Sequence, residues 1–129
     1  MTPNPIGYVG VLMGMGSVLS AAALLDASNG STAAASGGFS LLPGEGAAIL
    51  GIFSTPGIAF ASGVTIGGKK YTAAAADSAH ILAKLGTAGA CLYKTNQSIV
   101  LGLFTANTNP TTAANQVANV ANNLIENGF

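Results

Sequence analysis

The chain has 129 residues, enough for one domain around a single core. Charged residues make up 6% of it, where about 25% is ordinary, and four Lys balance four carboxylates to a formal net charge of zero. Four scattered lysines cannot supply the cationic footprint that binds nucleic acid, one Cys excludes an internal disulfide, and one His, one Cys and four carboxylates leave almost no material for a metal cluster.

Residues Ile6 to Leu25 are mostly apolar or small and carry no charge, which is a spanning length. The run lacks flanking Lys or Arg and is interrupted by Gly7, Gly10, Gly14, Gly16, Ser17 and Ser20. No basic residue precedes Lys69, as a secretory signal would require. The expectation is a short helix over Ile6 to Met13, then a buried strand from Val18 to Leu25, with no membrane span. Asn29-Gly30 marks a turn, because both residue types tolerate positive φ, and Ser31 to Ala35 reads as the returning strand.

Pro43-Gly44-Glu45 opens a helix running to Phe53, with Glu45 suited to the positive helix start and Pro56-Gly57 marking the stop. Short strands follow. Val64 to Ile66 turns at Gly67-Gly68 into Lys69 to Ala74, and His80 to Lys84 turns at Gly86 to Gly89 into Ala90 to Lys94. Ser98 to Phe104 completes an antiparallel meander. Asn109 as cap and Pro110 as first residue begin the clearest helix, with Val117, Val120, Ala121, Leu124 and Ile125 on one face and Gly128 at its end. The order gives an α+β fold: a central antiparallel sheet with terminal helices available to pack on it.

Catalytic chemistry finds no foothold. Asp77-Ser78-Ala79-His80 gathers an acid, a hydroxyl and the only imidazole, but on a strand Ser78 and His80 would share a face with Asp77 pointing away, and the expected structure is a polar turn leading into a strand. Cys91 sits in an apolar strand with no base nearby in sequence. Gly67-Gly68-Lys69-Lys70 lacks the glycine spacing and hydroxyl of a phosphate loop. Neither an enzyme nor a cofactor is expected.

Gly63-Val64-Thr65-Ile66-Gly67-Gly68-Lys69-Lys70-Tyr71 resembles a motif of the profilins, small proteins that bind actin monomers. Three further stretches resemble the family in order and spacing: Ser20 to Ser31, Gly86 to Leu103, and Asn122 to Phe129. The resemblance covers essentially the whole chain. It implies one profilin-like domain over residues 1–129, with N- and C-terminal helices on one face of the sheet. It also implies a cytoplasmic, cytoskeletal protein whose partner is an actin or actin-like monomer.

By that resemblance the actin face includes Lys70, Thr72, Ala74, Lys94, Asn115 and Asn119. The other reading of Lys70 and Lys94 is solvation of a polar surface. So few charges imply weaker, slower and less salt-dependent association. Tyr8 matches one aromatic of the family's poly-proline cleft and Phe129 a terminal one, whereas Pro5, Ala34 and Asn123 fall where other cleft aromatics stand. Rigid rings suit a preformed proline helix, so poly-proline affinity is expected to be weak or absent, as is phosphoinositide binding. Two alternatives remain: an interaction module of this fold that no longer binds actin, and a small-residue-rich membrane or surface protein.

Overall fold

The computed structural model describes residues 19–35, 41, 44–55, 57–105 and 109–126. The expected first helix, Tyr8, Pro5, Gly128 and Phe129 lie outside them. The described chain contains seven strands: β1 (Ala21–Asp26), β2 (Thr32–Ala35), β3 (Val64–Ile66), β4 (Lys69–Ala76), β5 (His80–Leu85), β6 (Ala88–Lys94) and β7 (Ser98–Phe104). Its helices are α1 (Glu45–Ser54), α2 (Gly57–Ser62) and α3 (Pro110–Glu126). The strands form one sheet in the order β2-β1-β7-β6-β5-β4-β3, every neighbouring pair antiparallel. From β3 to β7 this is the expected meander. The first hairpin joins it by laying β1 along β7, with Ala21 opposite Leu103 and Asp26 opposite Ser98.

Continuous apolar strands arise here because both faces of the central sheet are covered. Ala23, Leu25, Ile81, Ala83, Ala90, Leu92, Ile99 and Leu101 pack with Ile49, Ile52 and Phe53 of α1 and Ala59 of α2. On the opposite face Ala22, Leu24, Cys91, Val100 and Phe104 meet Ala113, Val117, Val120, Ala121 and Leu124 of α3. Small side chains let helix and sheet approach: a Cβ on Gly102 would lie 2.6 Å from Val117 Cγ2. Among the described residues no helix is long and apolar enough to cross a membrane, and the end of the apolar run, Ala21 to Leu25, is strand β1.

Local signals explain most boundaries. Gly67 (φ 60°) and Gly68 (φ 82°) both take positive φ, as a two-residue hairpin turn requires. Asn109 caps α3, its Oδ1 accepting the Thr111 N–H at 2.8 Å. The helix α2 departs from expectation. Where Pro56-Gly57 signals only a stop, a second helix begins at once and ends at Gly63 (φ 73°). It buries only Ala59, so six residues carry no amphipathic period, and packing against β4 holds it. β4 also runs two residues beyond the expected Ala74. The register shifts between Ala73 and Ala75, so Ala74 is a bulge and pairing resumes at Ala75 opposite Leu82.

Candidate functional site

Helix α3 packs chiefly on β6 and β7, and among the described residues no helix covers that face of β3–β5. Alternation on β4 sends Tyr71 and Ala73 toward α1, so Lys70 and Thr72 present on the α3 side. Thr72 stands directly opposite Lys84 of β5. Lys70 is therefore the diagonal neighbour of Lys84, roughly 7–8 Å away, with both exposed. Thr65 pairs with Lys70 and extends the same surface. Ala74 is exposed at the bulge beyond Thr72.

Helix α2 packs by Ala59 on the α1 side of the sheet and carries two exposed apolar side chains. Ile58 and Phe60 of α2 are 44% and 60% exposed. Three residues after Phe60, Gly63 lies against the Lys70 stem: a Cβ there would sit 3.1 Å from Lys70 Cε and 2.6 Å from the Tyr71 carbonyl. Asn115 and Asn119 are exposed one turn apart on α3. Val117, between them, lies over Gly102, which is linked across the ladder through Cys91 to Leu82. The first turns of α3 thus reach the Lys84 end of the sheet.

Lys94 is placed apart from this group. It alternates with Ala90 and Leu92, on the α1 side, and stands five residues along β6 from Gly89, the partner of Lys84, or about 16 Å. There it lines an open depression with Asp26, Ser28, Asn96 and Gln97. The Ser28 hydroxyl and then the Ser28 N–H, at 2.7 and 2.8 Å, hold the Asp26 carboxyl below the usual carboxylate range. Lys84, which the sequence reading omitted, occupies the face of Lys70 and Thr72 instead. The missing signal was register, since only the Thr72–Lys84 pairing places it beside Lys70.

Charge is therefore segregated in a chain with no net charge. Lys69, Lys70 and Lys84 gather at one end of β4 and β5, whereas Asp26, Asp77 and Glu126 terminate or follow β1, β4 and α3 at the other. Glu45 is also not merely a helix-start charge. Its carboxylate, 7% exposed, accepts the Gly67 and Gly68 N–H groups at 2.7 and 2.8 Å.

Asp77 to Ala79 form the expected polar turn leading into a strand. The strand begins only at His80, and Asp77 folds back in the turn, its Oδ1 accepting the N–H groups of Ala79 (2.7 Å) and His80 (2.8 Å). Those bonds, Ala79 first, hold its carboxyl below the usual range. Its Oδ2 lies 2.8 Å from His80 Nδ1, and the imidazole stacks on Tyr93 with centroids 5.4 Å apart. This is a turn clasp, with the imidazole occupied by structural partners. Among the described residues no cluster of His, Cys, Asp and Glu can hold a metal ion.

Cys91 is buried, and burial pushes its thiol up to about 12 from 9.0. The folded state thus favours the protonated thiol. This contribution to stability is complete below pH 9 and falls as pH rises from 9 toward 12. Iodoacetamide at pH 8 is expected to leave Cys91 unmodified in the folded protein and to alkylate it in urea, read by mass spectrometry.

Of the cleft positions, Ala34 packs half-buried against the α3-side core, and Asn123 is exposed on α3. Both are on the same side of the sheet, and neither supplies a ring.

A seven-stranded antiparallel sheet with helices on both faces and an exposed, lysine-bearing strand pair defines a small α+β domain. The sequence model of the profilin family matches residues 7–129, and the chain belongs to that family. It is 42% identical over 95 residues to profilin-P of Physarum polycephalum, covering 74% of this chain and 76% of the relative. It is 38% identical over 113 residues to profilin-2 of Dictyostelium discoideum, covering 88% and 90%. Its structure matches crystalline profilin II of Acanthamoeba castellanii with a TM-score of 0.92 at 33% identity, covering 98% and 100%. Membership makes this chain an actin-monomer-binding regulator of actin assembly, in a cytoskeletal family of binding proteins.

Proposed function

We propose that this protein docks actin monomers on the exposed face of β4 and β5, with Lys70, Thr72, Lys84 and the bulge at Ala74 at its centre. Asn115 and Asn119 form a polar border. It acts in the cytoplasm as a single profilin domain, by binding and not by catalysis. The observation carrying this reading is the pairing of Thr72 with Lys84, which makes the exposed Lys70 and Lys84 diagonal neighbours on one face. No described carboxylate occupies that end except Glu45, which is engaged with the Gly67-Gly68 turn. A partner with acidic groups is steered toward such a patch even when net charge is zero.

The test is titration of monomeric actin with purified protein, with filament assembly followed in parallel. Dose-dependent suppression of assembly is expected, and Lys70→Glu or Lys84→Glu should each weaken binding about tenfold, or about 1.4 kcal/mol. Lys94→Glu should change it less than about twofold, because its charge lies on the other side of the sheet. A loss with Lys94→Glu equal to that with Lys84→Glu would overturn this placement. The same sample should give no saturating response to a proline decamer, because Ala34 and Asn123 present no aromatic surface for stacking.

A further inference from the structure

A carboxylate at the start of a helix ordinarily complements the helix dipole and stays in solvent. Glu45 instead is 7% exposed and sends both oxygens out of its own helix. Oε1 accepts the Gly67 N–H at 2.7 Å and Oε2 the Gly68 N–H at 2.8 Å. These donors belong to consecutive positive-φ glycines, the most permissive pair a two-residue turn can contain. Both glycines are exposed, so without Glu45 their N–H groups would turn to water and the turn would lose the side chain that ties it to α1. An ionised carboxylate meets two converging donors with charge-assisted bonds, whereas a carboxamide offers one oxygen and sets its NH2 against the second N–H.

The two ends of this clamp differ in rigidity. Helix α1 is fixed in the core by Ile49, Ile52 and Phe53. The hairpin it holds has a three-residue edge strand, β3, paired only with β4. Lys70 is two residues beyond Gly68, and its stem lies against Gly63, immediately before β3. The hairpin thus carries Lys70 between the clamped Gly67-Gly68 turn and Gly63.

We infer that Glu45 is a positioning residue for actin docking: its carboxylate fixes the Gly67-Gly68 turn to α1 and thereby sets where Lys70 meets the partner. The inference rests on Lys70 belonging to the docking face, and the experiment separates the two ideas. Glu45→Gln preserves shape and removes one acceptor. In the free protein, amide exchange at Gly67 and Gly68 should rise at least about tenfold in Glu45→Gln, while Leu92 and Leu101 in the core stay protected. In actin titrations, Lys70→Ala should weaken binding about fivefold in the native background and less than about twofold in the Glu45→Gln background.

A merely structural role would raise exchange throughout and leave the Lys70 contribution intact. Unchanged exchange at Gly67 and Gly68 overturns the inference, and so does strict additivity of the two substitutions. If the native protein fails to bind actin, the docking reading falls, and the exchange arm alone decides whether Glu45 holds the hairpin.

Discussion

Replacing Gly46 by alanine is expected to destabilise the protein by about 3 kcal/mol or more, a large share of the roughly 5–15 kcal/mol typical of a domain. Gly46 is in the first turn of α1, packed against Gly30 of the β1–β2 turn. A Cβ on Gly46 would overlap the Gly30 carbonyl oxygen, and one on Gly30 (φ 78°) would overlap the Gly46 carbonyl. Both obstacles are backbone, so neither side can yield by changing rotamer. The Gly30 N–H is also held by the Asp26 carbonyl at 2.7 Å, which ties the turn to the end of β1. Relief would require α1 to leave the sheet, opening the core around Ile49 and Phe53.

Gly51 is the internal control, because it lies in the same helix and its Cβ would meet nothing within 4 Å. Gly51→Ala should stabilise the protein by about 0.5–1 kcal/mol through helix propensity. Urea midpoints of the two variants should move in opposite directions. A Gly46→Ala midpoint within error of the native protein would mean that the turn and helix do not meet as described.

Leu92→Ala is expected to cost about 3 kcal/mol with an unchanged urea m-value. Leu92 is fully buried on β6, directly between Ile81 of β5 and Leu101 of β7. Its neighbours belong to paired strands and cannot collapse into the space without breaking ladder bonds. The lost transfer energy is therefore joined by a cavity term. Because Leu92 faces α1, on the side away from Lys70 and Thr72, actin affinity of the folded variant should change by less than about twofold. A loss below about 1 kcal/mol would indicate a core loose enough to repack.

The sequence reads best where a backbone conformation demands a residue type. Gly67-Gly68 as a turn, Asn109 as a cap and the apolar stripe of α3 follow from local rules, and the structure has each of them except that Ile125, expected on the stripe, is exposed. The profilin motif around Gly63 to Tyr71 likewise carried the family. Helix α2 was illegible because six residues with one buried side chain have no measurable period. Its place in the sequence marks Glu45 only as a charge at a helix start, because nothing near it reveals a turn 22 residues away.

The candidate face shows the same division. Alternation along β4 groups Lys70 with Thr72, and this much is legible from one strand. The inclusion of Lys84 and the separation of Lys94 depend on pairing between strands, on the bulge at Ala74 and on the strands that α3 covers. By itself the sequence determined the strands, their turns, the last helix and the scarcity of charge. Only the tertiary structure decided that β1 lies along β7, that α1 holds the β3–β4 hairpin and that Lys69, Lys70 and Lys84 gather at one end while Lys94 stands at the other. Those choices arise from burying both faces of an alanine-rich sheet whose strands have weak preferences of their own.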